Sequence, residues 1–511
     1  MFIEQEGIML KKIRKAIAIT VFVLVTLLFV DFTGALHPGL AWLAKVQIIP
    51  AVLAVNVSIL IVLAVLSLLF GRLYCSVICP LGILQDGISH VSGKRKGKKN
   101  RFRFSASHTW LRYGVFVLFL IGLVAGISSV VSLLDPYSNF GRMASNVATP
   151  IYYVGNNALA WLAERADSYA FYPVEVWIKS GIVLGVSIGT LAVIGILSWK
   201  HGRTYCNAIC PVGTFLGVFC RFSLFQIAFD SEKCSKCGLC ERNCKSSCID
   251  SKAMLIDHSR CVTCFNCVDK CKSGAMKYTV RTLHRKTVFQ PLLSANEESK
   301  EKITKRRFFS IAGLLAITQI VKPQQLLHVD GGLAELKEKK VLDRKVPIVP
   351  PGADSLQNMK THCTACQLCV ASCPNQVLRP SVNLSTFMQP EMSFEKGYCR
   401  PECNECSQVC PNNAIKPITI AEKTGVSIGK AIWIKDNCLV NTDKVKCTSC
   451  ERHCPTGAIS LIPIDPENKK SLEIPVVSSE LCIGCGACEY CCPARPFSAM
   501  YVEGNSRHHV V

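Results

Sequence analysis

The spacing of the cysteines constrains this chain more than any other feature. Cys234, Cys237, Cys240 and Cys244 follow C-x2-C-x2-C-x3-C, and Cys261, Cys264, Cys267 and Cys271 repeat it. Cys363, Cys366, Cys369 and Cys373 fit the same pattern, as do Cys482, Cys485, Cys488 and Cys492. Two further groups are variants. Cys399, Cys403, Cys406 and Cys410 open with a three-residue gap, and Cys438 stands well before Cys447, Cys450 and Cys454. Three thiolates on one tight loop hold three corners of a cubane, while the fourth cysteine of a run reaches the neighbouring cluster. Zinc sites want four thiols or histidines per ion, and disulfide frameworks staple small loop-rich domains. The 24 cysteines of these six groups therefore predict six [4Fe–4S] clusters.

In the first two runs, Cys234, Cys237, Cys240 and Cys271 are expected on one cluster, and Cys261, Cys264, Cys267 and Cys244 on the other. Cys248 is an alternative to Cys244, and lysine stands after Cys244 and Cys271 where the pattern usually has proline. Three half-modules share a tail, "CKSGAM", "CPNNAI" and "CPTGAI". Cys220 and Cys491 fall outside the groups and read as buried structural thiols.

Half of the residues are hydrophobic, and the apolar ones concentrate before residue 230, the cysteines after it. Four stretches fit spans of about 20 residues: Ile13 to Thr33, Ile48 to Phe70, Trp110 to Leu134 and Val174 to Trp199. Lysine and arginine crowd before the first span, between the second and third, and after the fourth, whereas the loops around 34–47 and 135–173 are poor in them. The positive-inside rule then places both ends of this unit in the cytoplasm. The formal charge of +22 sits beside these spans, which argues against nucleic acid as a partner and for a lipid bilayer.

An internal repeat lies at the same face: "GRLYCSVICPLG" after the second span and "GRTYCNAICPVG" after the fourth. Both read G-R-x-Y-C-x3-C-P-x-G. Structural cysteines in a membrane-proximal turn are one reading. The other is that Cys75, Cys79, Cys206 and Cys210 converge across a pseudo-two-fold axis on a redox pair or one metal centre, a seventh cluster. No G-x-G-x-x-G follows a strand and no Walker loop is present, so an NAD(P)H site is not expected. A quinone site needs a polar group near an apolar slot. Asp31, His37, Gln47 and Asp135 are the candidates at the outer face, and Asp86 and His90 at the inner one, each with a cap or loop role as the ordinary alternative.

Residues 1 to about 280, with four spans, two C-x3-C-P motifs and two cysteine runs, resemble NapH-type membrane quinol dehydrogenases. Residues 305 to 511, with "RKVPIVPPGA" leading into "CTACQLCVASCP", are similar to the NapG/MauM polyferredoxins. The resemblance implies a fusion of two usually separate subunits. The second normally starts with a twin-arginine signal, where Arg306 and Arg307 stand here. Its apolar run, Phe308 to Val321, would rise only about 21 Å as a helix, against roughly 30 Å of hydrocarbon.

The fold class expected is an α-helical membrane domain, a four-helix transmembrane bundle with an internal repeat, joined to α+β ferredoxin-like domains. The expected units are 1–230 (membrane), 231–280 (dicluster ferredoxin), 281–345 (linker with the anchor 305–321) and 346–511 (tetracluster polyferredoxin). The implied activity is oxidation of menaquinol or ubiquinol in the cytoplasmic membrane, with electrons delivered to a periplasmic redox partner. The dicluster unit would be cytoplasmic and the polyferredoxin periplasmic. Reverse flow, a reductase for cofactor maturation, and a redox scaffold lacking its own quinone site stay open.

Overall fold

The computed structural model describes residues 2–31, 33–95, 102–281, 339–468 and 471–511. The expected anchor, 305–321, lies outside the described residues. The N-terminal half is built on helices α1 (Phe2–Val30), α2 (Val57–Phe70), α3 (Pro80–Arg95), α4 (Thr109–Val124), α5 (Pro136–Met143), α6 (Thr149–Arg165), α7 (Gly181–His201) and α8 (Pro211–Cys220). Residues Ile8–Val30 of α1, and α7, are long and apolar enough to cross a membrane. Both expose large apolar side chains, Ile13, Ile17 and Val23 on one and Ile188, Val193 and Ile196 on the other.

The other two expected spans are not single helices, so among the described residues two of the four expected crossings are long unbroken helices. The stretch from Ile48 forms a short helix, Ile48–Leu53, then turns at Val55, whose φ is +52°. Asn56 restarts the chain as α2 by accepting the Ile59 N–H at 3.3 Å. The stretch from Trp110 breaks at Gly126, at φ +68°, between α4 and the helix Ser128–Leu134. At 1.5 Å per residue α2 and α4 rise about 21 and 24 Å, short of a full hydrocarbon thickness. Both breaks fall at turn-forming or polar residues inside otherwise apolar runs, Asn56 in the first and Gly126 with Ser128 and Ser129 in the second. Residues 174–180, expected at the head of the fourth span, precede α7 without helical structure.

Strands β1 (Phe225–Phe229), β2 (Ile249–Asp250), β3 (Leu255–Ile256) and β4 (Met276–Val280) form two antiparallel pairs, β1 with β4 and β2 with β3. This first ferredoxin unit therefore starts at Phe225, ahead of the expected boundary at 231. In the C-terminal unit β5 (Leu378–Pro380) pairs with β6 (Pro390–Met392). Strand β7 (Val426–Trp433) pairs with β10 (Met500–Val510), enclosing the hairpin of β8 (Ile459–Pro463) and β9 (Glu473–Val477).

The two cysteine-rich units pack at opposite ends of the helices. The first meets the N-terminal end of α1 through Lys11 and Asp269, 2.7 Å apart. The C-terminal unit meets the other end: Asn146 donates to Gln367 at 2.6 Å, and Lys179 donates to the Val370 carbonyl at 2.6 Å. At that end Phe29 of α1 packs edge-on against Phe140 of α5. Between Lys11 and Phe29 α1 rises about 27 Å, close to the hydrocarbon thickness of a bilayer.

Candidate iron–sulfur site

Backbone conformation explains why the cysteine runs have their spacing. In each regular loop the second and fourth residues after the first cysteine are left-handed: Lys236 and Gly238, Thr263 and Phe265, Ala365 and Gln367, Gly484 and Gly486. Such alternation curls the chain and turns backbone N–H groups inward, a concavity suited to an anionic cluster. The Ala365 N–H points at the Cys363 Sγ, 3.4 Å away. The shared tail has the same origin. The third residue after the closing cysteine is left-handed at Ser247, Gly274, Gln376, Asn413 and Gly457. The two variant groups, from Cys399 and from Cys447, depart in backbone as they do in spacing.

The closing cysteines are exchanged between neighbouring runs. Cys410 lies within electrostatic reach of Cys363, Cys366 and Cys369, and Cys373 of Cys399, Cys403 and Cys406. Cys454 does the same with Cys485 and Cys488. Cys492 joins Cys450, and it packs in one cluster with Cys438 and Cys447. In the first unit Cys271 faces Cys240. Cys244 is within reach of Cys264 and Cys267 while Cys248 neighbours Cys261, so two thiols 3.5 Å apart share the fourth position. The Cys399 N–H donates to the Cys485 carbonyl at 2.9 Å, joining the set of Cys399 to that of Cys485.

These sets fit a multi-iron cluster. The set of Cys363, Cys366, Cys369 and Cys410 offers four thiols, the number a cubane takes at one thiolate per iron. Burial pushes the Cys366 and Cys485 thiols up to about 12, and the Cys240 and Cys450 thiols up to about 11. Thiolates in such surroundings are stabilised by bound cationic metal. A [4Fe–4S] cluster held there supplies one-electron transfer.

The two C-x3-C-P segments come together as the repeat predicts. Cys75, Cys79, Cys206 and Cys210 are all buried and within electrostatic reach of one another. The rest of the motif builds this junction. Arg72 Nη2 donates across the axis to the Cys206 carbonyl at 3.2 Å, and Arg203 Nη1 donates to the Cys75 carbonyl at 2.7 Å. A Cβ on Gly82 would stand 2.3 Å from the Cys75 oxygen, and one on Gly213 would stand 2.1 Å from the Cys206 oxygen. Hence only glycine fits the last motif position. The tyrosines anchor the segments outward: Tyr74 donates to Gln47 at 2.7 Å, and Tyr205 accepts from Asn139 at 3.2 Å.

Arg72 is fully buried and bonds Asn207, Ser259 and the Cys206 carbonyl, with the Cys75 Sγ 3.9 Å away. A buried cation beside four thiols fits an anionic centre. Arg203 instead has a carboxylate. Asp86 accepts from it at 2.7 Å and also pairs with Arg14 at 3.3 Å and Lys245 at 3.5 Å. Burial alone would raise the Asp86 carboxyl, but Arg203, Lys245 and Arg14 hold it well below the usual carboxylate range. One acidic residue thus ties α1, both repeats and the first ferredoxin unit together.

Helix α5, buried along its whole length, spans from this junction to the C-terminal unit. Asn139 touches Tyr205, and Arg142 donates to Asn139 at 2.6 Å. Gly141 presses on the opposite side, where a Cβ would lie 2.3 Å from the Cys366 oxygen. Neither Gly141 nor Gln85, which donates to the Cys206 Sγ at 3.2 Å, was singled out from the sequence. Both lie outside the repeated motif, so no pattern pointed to them.

The outer-face candidates have other duties. Asp31 accepts from Thr33 and from the Leu36 N–H, closing a loop. Asp135 caps α5 through the Tyr137 and Ser138 N–H groups. His37 is bonded to the Leu28 carbonyl at 3.1 Å, and Gln47 is bonded to Tyr74. At the inner face Asp86 is the ion-pair hub.

The 4Fe-4S binding domain family matches twice, at residues 52–99 and 182–227, which are the two repeats. The 4Fe-4S dicluster domain family matches residues 445–495. The ferredoxin-type protein NapF of Escherichia coli (strain K12) is 32% identical over 165 residues, covering 31% of this chain and 87% of NapF. The chain belongs to the ferredoxin-type 4Fe–4S proteins that include NapF. The methylamine utilization ferredoxin-type protein MauM of Methylobacillus flagellatus is 32% identical over 149 residues, 28% of this chain and 62% of MauM. YccM of Escherichia coli (strain K12) is 26% identical over 226 residues, 44% of this chain and 55% of YccM. This is an iron–sulfur electron-transfer protein of that kinship.

Proposed function

We propose that the chain is a membrane-embedded electron wire that exchanges electrons between the quinone pool and a redox partner protein at the outer face. In this reading the six ferredoxin-type sets each bind a [4Fe–4S] cluster, and Cys75, Cys79, Cys206 and Cys210 hold a seventh. The first ferredoxin unit would face the cytoplasm and the C-terminal unit the periplasm, with menaquinol or ubiquinol as donor. The NapH-like four-span topology belongs to this proposal, with α2 and α4 completing their crossings through the short helices beside them.

The observation that carries the reading is α5. It touches Tyr205 of the repeat junction through Asn139 and the Cys366 loop through Gly141. The inner and outer cysteine sets therefore have a buried, protein-filled connection rather than a gap. Fixed hydrogen bonds and charges along it, such as Arg72 and Gln85, are the means by which potentials of successive centres are set.

The test uses the full chain in proteoliposomes of one orientation. Membrane-impermeant dithionite supplied on the side of the first ferredoxin unit should bleach the absorbance of all the clusters. Reduction of the near set alone, with the outer set still oxidised, would sink the wire. A reporter fused after Val511 should appear on the opposite side from one inserted in the first ferredoxin unit.

A further inference from the structure

A cavity of about 330 Å³ opens where the membrane half meets the C-terminal unit. Its volume falls in the range of small-ligand sites, roughly 300–1,000 Å³. One wall is the π-helical turn Ala144–Ala148, an element that occurs mostly as single turns within α-helices and frequently at functional sites. That turn presents Ser145 and Asn146 to the cavity. The opposite wall is the segment Val370–Pro374, which includes Cys373. Two polar atoms along the lining have no hydrogen-bond partner, Ser145 Oγ and Gln367 Nε2, and Gln367 is only 1% exposed. Buried orphan donors of this kind point to a missing partner.

We propose that this cavity is the quinol site, with Ser145 Oγ and Gln367 Nε2 as hydrogen-bond partners of the headgroup oxygens. The inference rests on the electron-wire reading and names where the pool joins the wire. Three features select a neutral, lipid-borne redox headgroup. Lys179, the cation of the lining, is already bonded to the Val370 carbonyl, and the Glu175 carboxylate lines the same cavity, which disfavours a phosphate. The rim carries Tyr172 and Ile178, each more than half exposed, an apolar and aromatic approach suited to an isoprenoid-bearing ligand. The cysteine sets of Cys369 and Cys373 both lie within electrostatic reach of Lys179 in the lining.

The step balances as follows. Both quinol O–H bonds break, two protons leave toward water past Glu175, and the ring becomes the quinone. [4Fe–4S] clusters held by Cys363, Cys366, Cys369 and Cys410 and by Cys399, Cys403, Cys406 and Cys373 would, when oxidised, take up the two electrons, one each. Ser145 and Gln367 orient the headgroup, and Asn146 fixes Gln367 through its 2.6 Å bond.

The test is binding of the fluorescent quinol analogue heptyl-hydroxyquinoline N-oxide to the full chain in nanodiscs, read by fluorescence quenching. Bleaching by a menaquinol analogue is measured in parallel. Ser145→Leu, which fills the cavity, should weaken the probe at least tenfold and abolish quinol bleaching while dithionite bleaching stays intact. Asn146→Ala, which adds no volume, should weaken the probe several-fold and serves if Ser145→Leu loses its clusters. Wild-type affinity in a variant that retains dithionite bleaching would overturn the site, and continued quinol bleaching of the wild type would leave the wire standing. Failure of the wild type both to bind the probe and to be bleached by quinol would overturn both.

Discussion

Arg203 reaches over the axis of the internal repeat and donates to the Cys75 carbonyl at 2.7 Å. Arg72 makes the mirrored bond to Cys206. The two arginines occupy equivalent places in sequence and in space, yet among the described residues only Arg203 pairs with a carboxylate, Asp86.

That difference predicts unequal redox effects. Removing the uncompensated charge in Arg72→Gln should destabilise the more negative, reduced form of the centre beside it. A loss of about 1.4 kcal/mol lowers a one-electron potential by about 59 mV. A downward shift of at least that order is expected for Arg72→Gln in a potentiometric titration followed by EPR. A smaller shift is expected for Arg203→Gln, and an upward shift for Arg72→Gln would refute the anionic centre.

The motif glycines should be intolerant of any side chain. Gly82→Ala and Gly213→Ala each place a Cβ closer than 2.5 Å to a cysteine carbonyl. Both should lose the centre between the repeats, seen as a drop of about four iron atoms per chain, one cubane. Gly87, five residues on in α3, has open space around its Cα. Gly87→Ala should keep full iron content and gain roughly 0.5–1 kcal/mol of helix stability.

Gly141→Ala tests the connection. Its Cβ would meet the Cys366 oxygen at 2.3 Å and the Phe29 ring at 2.9 Å, so α5 must retreat from the C-terminal unit. In stopped-flow reduction from the side of the first ferredoxin unit, the near clusters should keep wild-type rates. The outer ones should slow at least tenfold. Equal rates for both sets would show that electrons take another route.

Asp86→Asn removes the carboxylate that Arg14, Arg203 and Lys245 share. Losing one side of a buried pair typically costs about 3–5 kcal/mol, and an effect of that order is expected in thermal unfolding. The carboxyl is held below its unfolded value of about 3.9. Its contribution is therefore complete at neutral pH and is lost as pH falls below about 4. The wild type should lose its advantage over Asp86→Asn across that acid window, and a constant difference would exclude the ion-pair account.

Much of this was legible from the cysteines because their spacing is a local matter. A loop with left-handed residues at two fixed positions is written in a few consecutive residues, and the Gly or Asn of the shared tail marks a third such position. The repeat also announced that Cys75, Cys79, Cys206 and Cys210 would meet, since identical segments after two hairpins converge. What could not be read depends on distant contacts. The turns at Val55 and Gly126 interrupt runs that are apolar on average, and a lone Asn56 or Gly126 in such a run is as compatible with a continuous span as with a break. Asp31 and Asp135 looked like polar groups at a membrane face, and capping is what their short side chains do there. The π-turn at Ala144–Ala148 has no sequence signature, and Gln85 acquires its partner only when the second repeat folds against the first.

The repeat junction also bears on ancestry. Each half contributes two thiols, one crossing arginine and one obligatory glycine, so neither half can complete the junction by itself. A single-copy ancestor would have had to work as a symmetric pair of identical chains. Such a pair must carry the same residue at both equivalent places. Here Gln85 faces the Cys206 sulfur while its counterpart in the second copy is Leu216. Joining the copies in one polypeptide is what allows the two sides of the junction to differ.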